Sequence, residues 1–310
     1  MKAMRLSDST VNRLEECDES IPRPGADEVL IEVHAAGVTR AEVEWHPTTH
    51  TKDGGRRSRA TPGHEFSAVI SSVGAKVNEF RAGQEVYGFN DWFSDGATAE
   101  YCLTRPDMIA LKPRQATHAE AASVPISALT ALQGLFDRAK LSAGDSVLIH
   151  GGSGGVGVLA IQLARRVGAR VLTTASGEHA AFLSTLGANE VIDYRRERFE
   201  ERAPQVDVVF DTVGGEILER SWNVLKPGGR LVTIASKQEA TATGRNKDAF
   251  FIVEPNRRQL EEIARAIDRG ELEPVVSRVY PFAEAERAYF DSNRDGKKPG
   301  KRVIALRDSK

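Results

Sequence analysis

The chain has little of what would mark several protein classes. Only two cysteines, Cys17 and Cys102, occur in 310 residues, too few and too far apart for a disulfide framework or a cysteine-rich zinc lobe. Neither sign of charge dominates. The 42 Lys and Arg face 44 Asp and Glu for a formal net charge of −2, so no cationic excess is left to neutralise a phosphate backbone, and nucleic acid is not an expected partner. Long apolar runs are missing as well. A bilayer span needs about 18–20 uncharged apolar residues, and the nearest approach, residues 121–136, is rich in small residues and follows Glu120. Residues 6–20, where a signal peptide would carry its apolar core, are mostly polar or charged. These absences lead to the expectation of a cytoplasmic protein with no membrane partner. With 40% hydrophobic and 28% charged residues the chain can bury a core, and at about 150 residues per domain it makes one large domain or two.

What is present divides in two. Up to about residue 115 the chain reads as short β-runs between Gly, Pro and Asp, at 29–34, 66–73, 85–89 and 97–103. Between them, residues 44–62 show no apolar period and form a long loop of the functional or mobile kind. Thr117-His118-Ala119-Glu120 matches a capping box and opens a small-residue helical stretch that runs past Pro125 to about Ala139. From Ser146 strands and helices alternate, the strands at 146–150, 170–174, 190–192, 206–211 and 230–235, which predicts a doubly wound parallel sheet covered on both faces. An amphipathic helix after Pro255 carries Leu260, Ile263, Ala264 and Ile267, and residues 275–306 return to short strands that could rejoin the first block.

The 27 glycines are a modest surplus, and part of it is concentrated after one strand. Val147-Leu148-Ile149-His150 runs into Gly151-Gly152-Ser153-Gly154-Gly155-Val156-Gly157, followed by a helical pattern closed by Gly168. Within it Gly152, Gly154 and Gly157 have the spacing of the dinucleotide fingerprint. The first makes a tight turn, the second lets backbone approach a pyrophosphate, and the third lets helix and strand touch. The helix N-terminus then turns unpaired N–H groups and partial positive charge toward the phosphates. In NAD sites an Asp or Glu about 20 residues on holds the adenosine ribose. Arg170-Val171-Leu172-Thr173-Thr174-Ala175-Ser176 has no acid there. Small hydroxyl residues can donate to a 2′-phosphate that an acid would repel, which favours NADP (as NADPH) over NAD, although Glu178 lies close by. Tyr194, with Arg195 and Arg196, could close over the adenosine end.

Several motifs in order resemble a zinc-independent medium-chain dehydrogenase/reductase of the quinone oxidoreductase (zeta-crystallin-like) group. They are Gly37-Val38-Thr39, Pro62-Gly63-His64-Glu65, Ser127-Ala128-Leu129-Thr130-Ala131-Leu132-Gln133, the stretch from Val147 to Gly157, Leu186-Gly187-Ala188 with Val191-Ile192-Asp193-Tyr194, Phe210-Asp211-Thr212-Val213-Gly214-Gly215, and Leu225-Lys226-Pro227-Gly228-Gly229-Arg230-Leu231-Val232. The resemblance implies an α/β protein with a GroES-like β-rich catalytic domain from residues 1–115 and 256–310 and a Rossmann domain from 116–255. It implies Ser153, Gly154, Gly155 and Val156 at the pyrophosphate, Ser176 and Tyr194 at the adenosine phosphate, and Thr212 and Val213 near the nicotinamide. The lysine that many relatives carry after the second strand is missing from Gly177-Glu178-His179-Ala180. It also implies a homodimer, for which the β-prone run Ala249-Phe250-Phe251-Ile252-Val253 is a candidate edge strand.

Zinc relatives bind a catalytic metal through Cys, His and Cys. Here Thr39 stands at the first position, and the lone Gly63-His64-Glu65 remnant makes no tetrahedral set. A metal-free enzyme is expected, with His64 structural or pocket-lining; the resemblance implies Thr39 and Trp45 on the side of a small-molecule substrate, while burial for packing alone is the other reading of Trp45. His46 and His50 are weak replacement ligands. Without a Lewis acid the substrate must take hydride readily, as a quinone or an activated alkene or enone does. The expected activity is therefore an NADPH-dependent quinone or enone oxidoreductase. Alternatives are a nucleotide-binding structural or regulatory protein with little turnover and a zinc-type alcohol dehydrogenase with altered ligands.

Overall fold

In a computed structural model the protein divides into two compact units. Residues 1–8, 13–235, 244–291 and 298–307 are described. One unit holds Ser127–Glu254 with Lys298–Gly300, and the other holds Met1–Ile126, Pro255–Lys297 and Lys301–Lys310.

The first of these is built on a sheet of five strands in the spatial order Glu190–Asp193, Arg170–Ala175, Ser146–His150, Val206–Asp211, Leu225–Thr233. All neighbours are parallel. The chain winds outward from Ser146–His150 in one direction and then restarts beside it with Val206–Asp211. The switch point therefore lies between these two strands, and in such sheets ligands bind outside their C-terminal ends. Both strands read as nearly continuous apolar runs because helices cover both faces. Leu148, Leu172, Ile192, Val209, Leu218 and Leu231 meet in the buried core.

The other unit carries a seven-stranded sheet running Val276–Pro281, Lys301–Ala305, Val29–Val38, Glu65–Val73, Glu85–Phe89, Ile109–Leu111, with Tyr101–Thr104 also on Val29–Val38. The tail thus rejoins the first block, Lys301–Ala305 lying antiparallel to Val29–Val38. Inward residues Val29, Ile31, Val33, Phe66, Ala68 and Ile70 alternate along the two longest strands and make the core.

Two boundaries fall elsewhere than expected. The unit that begins at Met1 runs on through Ile126, beyond the expected 115, because the capped helix His118–Ala122 buries Ala121 and Ala122 on the Val29–Val38 and Glu65–Val73 strands. Its capping box forms as read, Thr117 Oγ1 accepting from Glu120 N at 3.2 Å. Residues 298–300, expected with the tail, group with the parallel-sheet unit, where Gly300 N donates to Ser153 O at 2.9 Å. The run 250–253 is not a full strand. Phe250 alone bridges Thr233, Phe251 and Val253 are buried and Ile252 is exposed. Among the described residues no helix is long and apolar enough to cross a membrane.

Candidate functional site

At the switch point the strand Ser146–His150 ends in the glycine loop, and the helix Gly155–Arg166 begins with Gly154 as its N-cap. The loop is held by Gly152 N donating to Thr174 O (3.0 Å) and Gly154 N to Gly151 O (3.0 Å). A side chain at several of its positions would strike neighbouring atoms. A Cβ on Gly157 would stand 2.2 Å from Gly151 O, and one on Gly152 would stand 2.0 Å from Thr173 Oγ1. At Gly154 a Cβ would meet only Gly151 O, at 3.3 Å. This glycine faces open space at the start of a twelve-residue helix, where a phosphate would meet unpaired amides.

His150 lies beneath the loop and is fully buried. Its Nδ1 meets Thr174 Oγ1 at 3.1 Å and its Nε2 meets Ser221 Oγ at 3.0 Å. Burial pushes its pKa down to about 3, so the ring is a neutral strut. The neighbouring strand ends in a turn shaped by Asp211. Its buried carboxylate accepts from Val213 N (3.0 Å), Gly214 N (3.0 Å) and Thr233 Oγ1 (2.8 Å). Burial raises the Asp211 pKa, and these three donors oppose the rise. Thr212 Oγ1 donates to His150 O at 2.7 Å, tying the two strand ends together, and Val213 is left exposed.

At the end of Arg170–Ala175, Ser176 is buried and its Oγ has no hydrogen-bond partner among the described residues. A hydroxyl in that state lacks a partner that a ligand could supply. Tyr194 is exposed beside it in the next βα turn, with the Arg195 guanidinium 5.9 Å from its ring centre. Glu178 faces Arg195 at 3.5 Å, and the Asp193 carboxylate, which lies against Gly177, faces Arg196 at 3.6 Å. The glycine cradle, the unpartnered Ser176 hydroxyl and this balanced charge fit a dinucleotide phosphate, so the residues present suit a pyridine nucleotide. The unit thus brings Gly152, Ser153, Gly154, Gly155, Val156, Gly157, Ser176, Tyr194, Thr212 and Val213 to the C-terminal side of one parallel sheet.

In the other unit Thr39, Trp45 and His64 share one neighbourhood. Thr39 precedes the 3₁₀ turn Arg40–Glu44, whose Glu42 is buried. Glu42 Oε2 lies 2.9 Å from His64 Nδ1 and accepts from His64 N at 3.1 Å, while His64 Nε2 lies 3.0 Å from Trp92 O. Trp45 stands edge-on to Trp92, ring centres 5.6 Å apart, and 6.3 Å from His64. The loop 44–62 holds a short helix, His46–Thr49, and His46 stacks on His50 at 4.5 Å. Sequence reading missed Glu42, Trp92 and Lys301. The Lys301 Nζ donates to Thr39 Oγ1 at 2.8 Å and pairs with the buried Glu65. Nothing local announces these residues, since each gains its role from a partner far along the chain.

Residues 25–134 match the family described as alcohol dehydrogenase GroES-like domain, and residues 186–304 the family described as zinc-binding dehydrogenase. The zinc of that description does not fit these donors. Both ring nitrogens of His64 are engaged, and among the described residues no group of three or more His, Cys, Asp and Glu is placed to hold a metal. The chain is 33% identical to a 2-methylene-furan-3-one reductase of Solanum lycopersicum, over 98% of its own length and 79% of the relative's. It is 29% identical to a quinone oxidoreductase of Sus scrofa, over 93% and 92%. A solved quinone oxidoreductase from Coxiella burnetii superimposes with a TM-score of 0.89 at 31% identity, covering 99% of each chain. A GroES-like unit, a parallel nucleotide-binding sheet and these relatives make the chain a member of the medium-chain dehydrogenase/reductase superfamily and a pyridine-nucleotide-dependent oxidoreductase.

Proposed function

We propose that the protein reduces quinones or activated alkenes and enones with NADPH, without zinc. The observation that carries this is the pairing of an open glycine cradle with an unpartnered, buried Ser176 hydroxyl where the adenosine ribose would lie. The bound dinucleotide supplies the hydride. Ser153, Gly154, Gly155 and Val156 take the pyrophosphate, and Gly152 and Gly157 shape the turn. Ser176 and Tyr194 take the 2′-phosphate, with Arg195 offsetting Glu178. Thr212 and Val213, fixed by Asp211 and His150, set the nicotinamide side. Thr39 and Trp45 face the small-molecule substrate, and His64 with Glu42 braces that wall.

The names of relatives support the substrate class: one is a furanone reductase, one a quinone oxidoreductase and one an NADPH-dependent alkenal/one oxidoreductase. Zinc independence is supported by His64, whose ring nitrogens are engaged by Glu42 and Trp92 O, and by Thr39, whose oxygen accepts from Lys301. A cytoplasmic homodimer joined near residues 250–253 is part of the same proposal. It is supported by the two free thiols and by Ile252 exposed between buried Phe251 and Val253.

The test is a panel of quinones, enones and aldehydes, run with NADPH and NADH in parallel, with metal analysis of the purified protein. Turnover of quinones or enones, faster with NADPH and with zinc well below one per chain, is expected. Binding of NADPH with no turnover would favour a regulatory nucleotide-binding protein. Stoichiometric zinc would favour the metal-dependent reading. Light scattering that returns a monomer would refute the dimer.

A further inference from the structure

Lys301 opens the strand Lys301–Ala305 and turns its ammonium inward, its side chain only 8% exposed. Glu65 and Thr39 are among the groups that meet it there. The carboxylate of Glu65 is 1% exposed, and its other oxygen accepts from Ile126 N at 3.0 Å. Thr39 Oγ1 lies at 2.8 Å. An ammonium has three donors and no acceptor. The Thr39 oxygen must therefore accept, and the hydroxyl proton is turned away from Lys301. Among the described residues that proton has no acceptor, and Thr39 is half-exposed. A hydroxyl accepting from a cation is also a stronger donor than a free one, because charge-assisted bonds polarise the group they reach.

We infer that Lys301 is a positioning residue that orients and polarises the Thr39 hydroxyl as the hydrogen-bond donor to the substrate's carbonyl or quinone oxygen. This rests on the reductase reading above. In an enone the hydride adds to the β-carbon, the alkene pair shifts to form the enolate, and negative charge collects on the oxygen. A solvent proton then completes the reduction while the dinucleotide leaves oxidised. Thr39 shares its proton with that oxygen and keeps it, so the hydroxyl is unchanged over the cycle. The donor acts where charge develops, the condition for lowering the barrier and not merely binding the ground state. Glu65 holds the ammonium in place. Burial raises the carboxyl pKa and Lys301 opposes the rise.

The test is a double-mutant cycle on the intact protein with an enone and NADPH. Thr39→Val and Lys301→Met should each lower kcat by about tenfold to hundredfold, the weight of one charge-assisted hydrogen bond. NADPH affinity by fluorescence should stay unchanged. In the Thr39→Val background Lys301→Met should cost nothing further, and Thr39→Ser should keep most of the rate. Because Lys301→Met strands the Glu65 charge, the pair Glu65→Gln/Lys301→Met supplies a chain with neither charge, and its melting curve reports whether the fold holds. A second readout is the infrared carbonyl stretch of a bound saturated ketone, which should shift down in the native protein and lose that shift in Lys301→Met and Thr39→Val alike. Additive losses in the cycle, or a carbonyl band that ignores both substitutions, overturn the role of Lys301. Absence of any turnover by the native protein overturns the reductase reading and this inference with it; turnover with additive losses overturns this inference alone.

Discussion

Two alanine substitutions three residues apart in the glycine loop should fail in different ways. At Gly157 the added Cβ would stand 2.2 Å from Gly151 O and 2.7 Å from Gly152 Cα. Both are backbone atoms of the cradle, so nothing flexible can move aside. Alanine would regain about 1 kcal/mol of helix propensity, and overpacking of this kind costs about 1–3 kcal/mol, more where the partner is rigid. With rigid backbone partners the cost lies toward about 2–3 kcal/mol, so the balance is a loss of about 1–2 kcal/mol, or roughly 2–8 °C in the melting of the nucleotide unit at about 2–4 °C per kcal/mol. At Gly154 the backbone sits at φ −77° and ψ 168°, which alanine adopts without strain, and the nearest atom is 3.3 Å away. Stability should move by less than about 0.5 kcal/mol. The methyl would instead occupy the open face above the helix N-terminus. Loss of one charge-assisted phosphate contact is worth about 1.5–3 kcal/mol, so NADPH should bind about 10- to 100-fold more weakly. Fluorescence titration and thermal melting on the same samples separate the two effects. If Gly154→Ala binds NADPH like the native chain, the phosphates do not lie on this face. If Gly157→Ala melts unchanged, the close contact is not a packing constraint.

Ser176→Ala should lower kcat/KM with NADPH about tenfold while leaving NADH little changed, since only the 2′-phosphate needs that hydroxyl; equal losses with both cofactors would remove it from the phosphate site. Asp211→Ala should cost about 2–4 kcal/mol in urea unfolding, because it strands two amides and the Thr233 hydroxyl in a buried turn. Acid should destabilise the protein through His150, whose folded-state pKa is about 3 against about 6.5 in the unfolded chain. Between those values the unfolded chain binds a proton that the folded one does not. Stability is therefore unaffected above about pH 6.5 and falls by about 1.4 kcal/mol per pH unit below it. His118, lowered to about 4 by burial and by the stacked His34, acts with the same sign. Urea unfolding at pH 7, 6 and 5 checks this, and an unchanged slope in His150→Gln would refute it.

The two halves of the molecule differ in how much of them could be read from the chain, and the reason is the range of the interactions. Around the cradle the determinants are local. Gly152, Gly154 and Gly157 sit within one turn and one helix start, and the strands Ser146–His150 and Val206–Asp211 begin and end at the expected residues because apolar runs bounded by Gly, Pro and Asp define them without outside help. Ser176 stands out in the chain for the same reason, as the first hydroxyl after the second strand, and the structure leaves it buried at that strand's end. Beyond the end of a strand the reading weakened. The run 250–253 has strand composition, yet only Phe250 pairs, because composition fixes propensity and leaves the partner unstated. Helix His118–Ala122 groups with the unit that begins at Met1 and not with the parallel sheet, because its small residues carry no label saying which sheet they pack on. The substrate side depends on longer connections still. Glu42 carries no local signal, and it becomes buried only when the turn Arg40–Glu44 closes on His64. Lys301 likewise has nothing beside it in the sequence that calls for burial. Only the antiparallel pairing of Lys301–Ala305 with Val29–Val38 carries its ammonium to Thr39, 262 residues away in sequence. A cation held inside a fold by partners so distant cannot be inferred from spacing, and the chemistry that distinguishes this site sits in that long-range pairing.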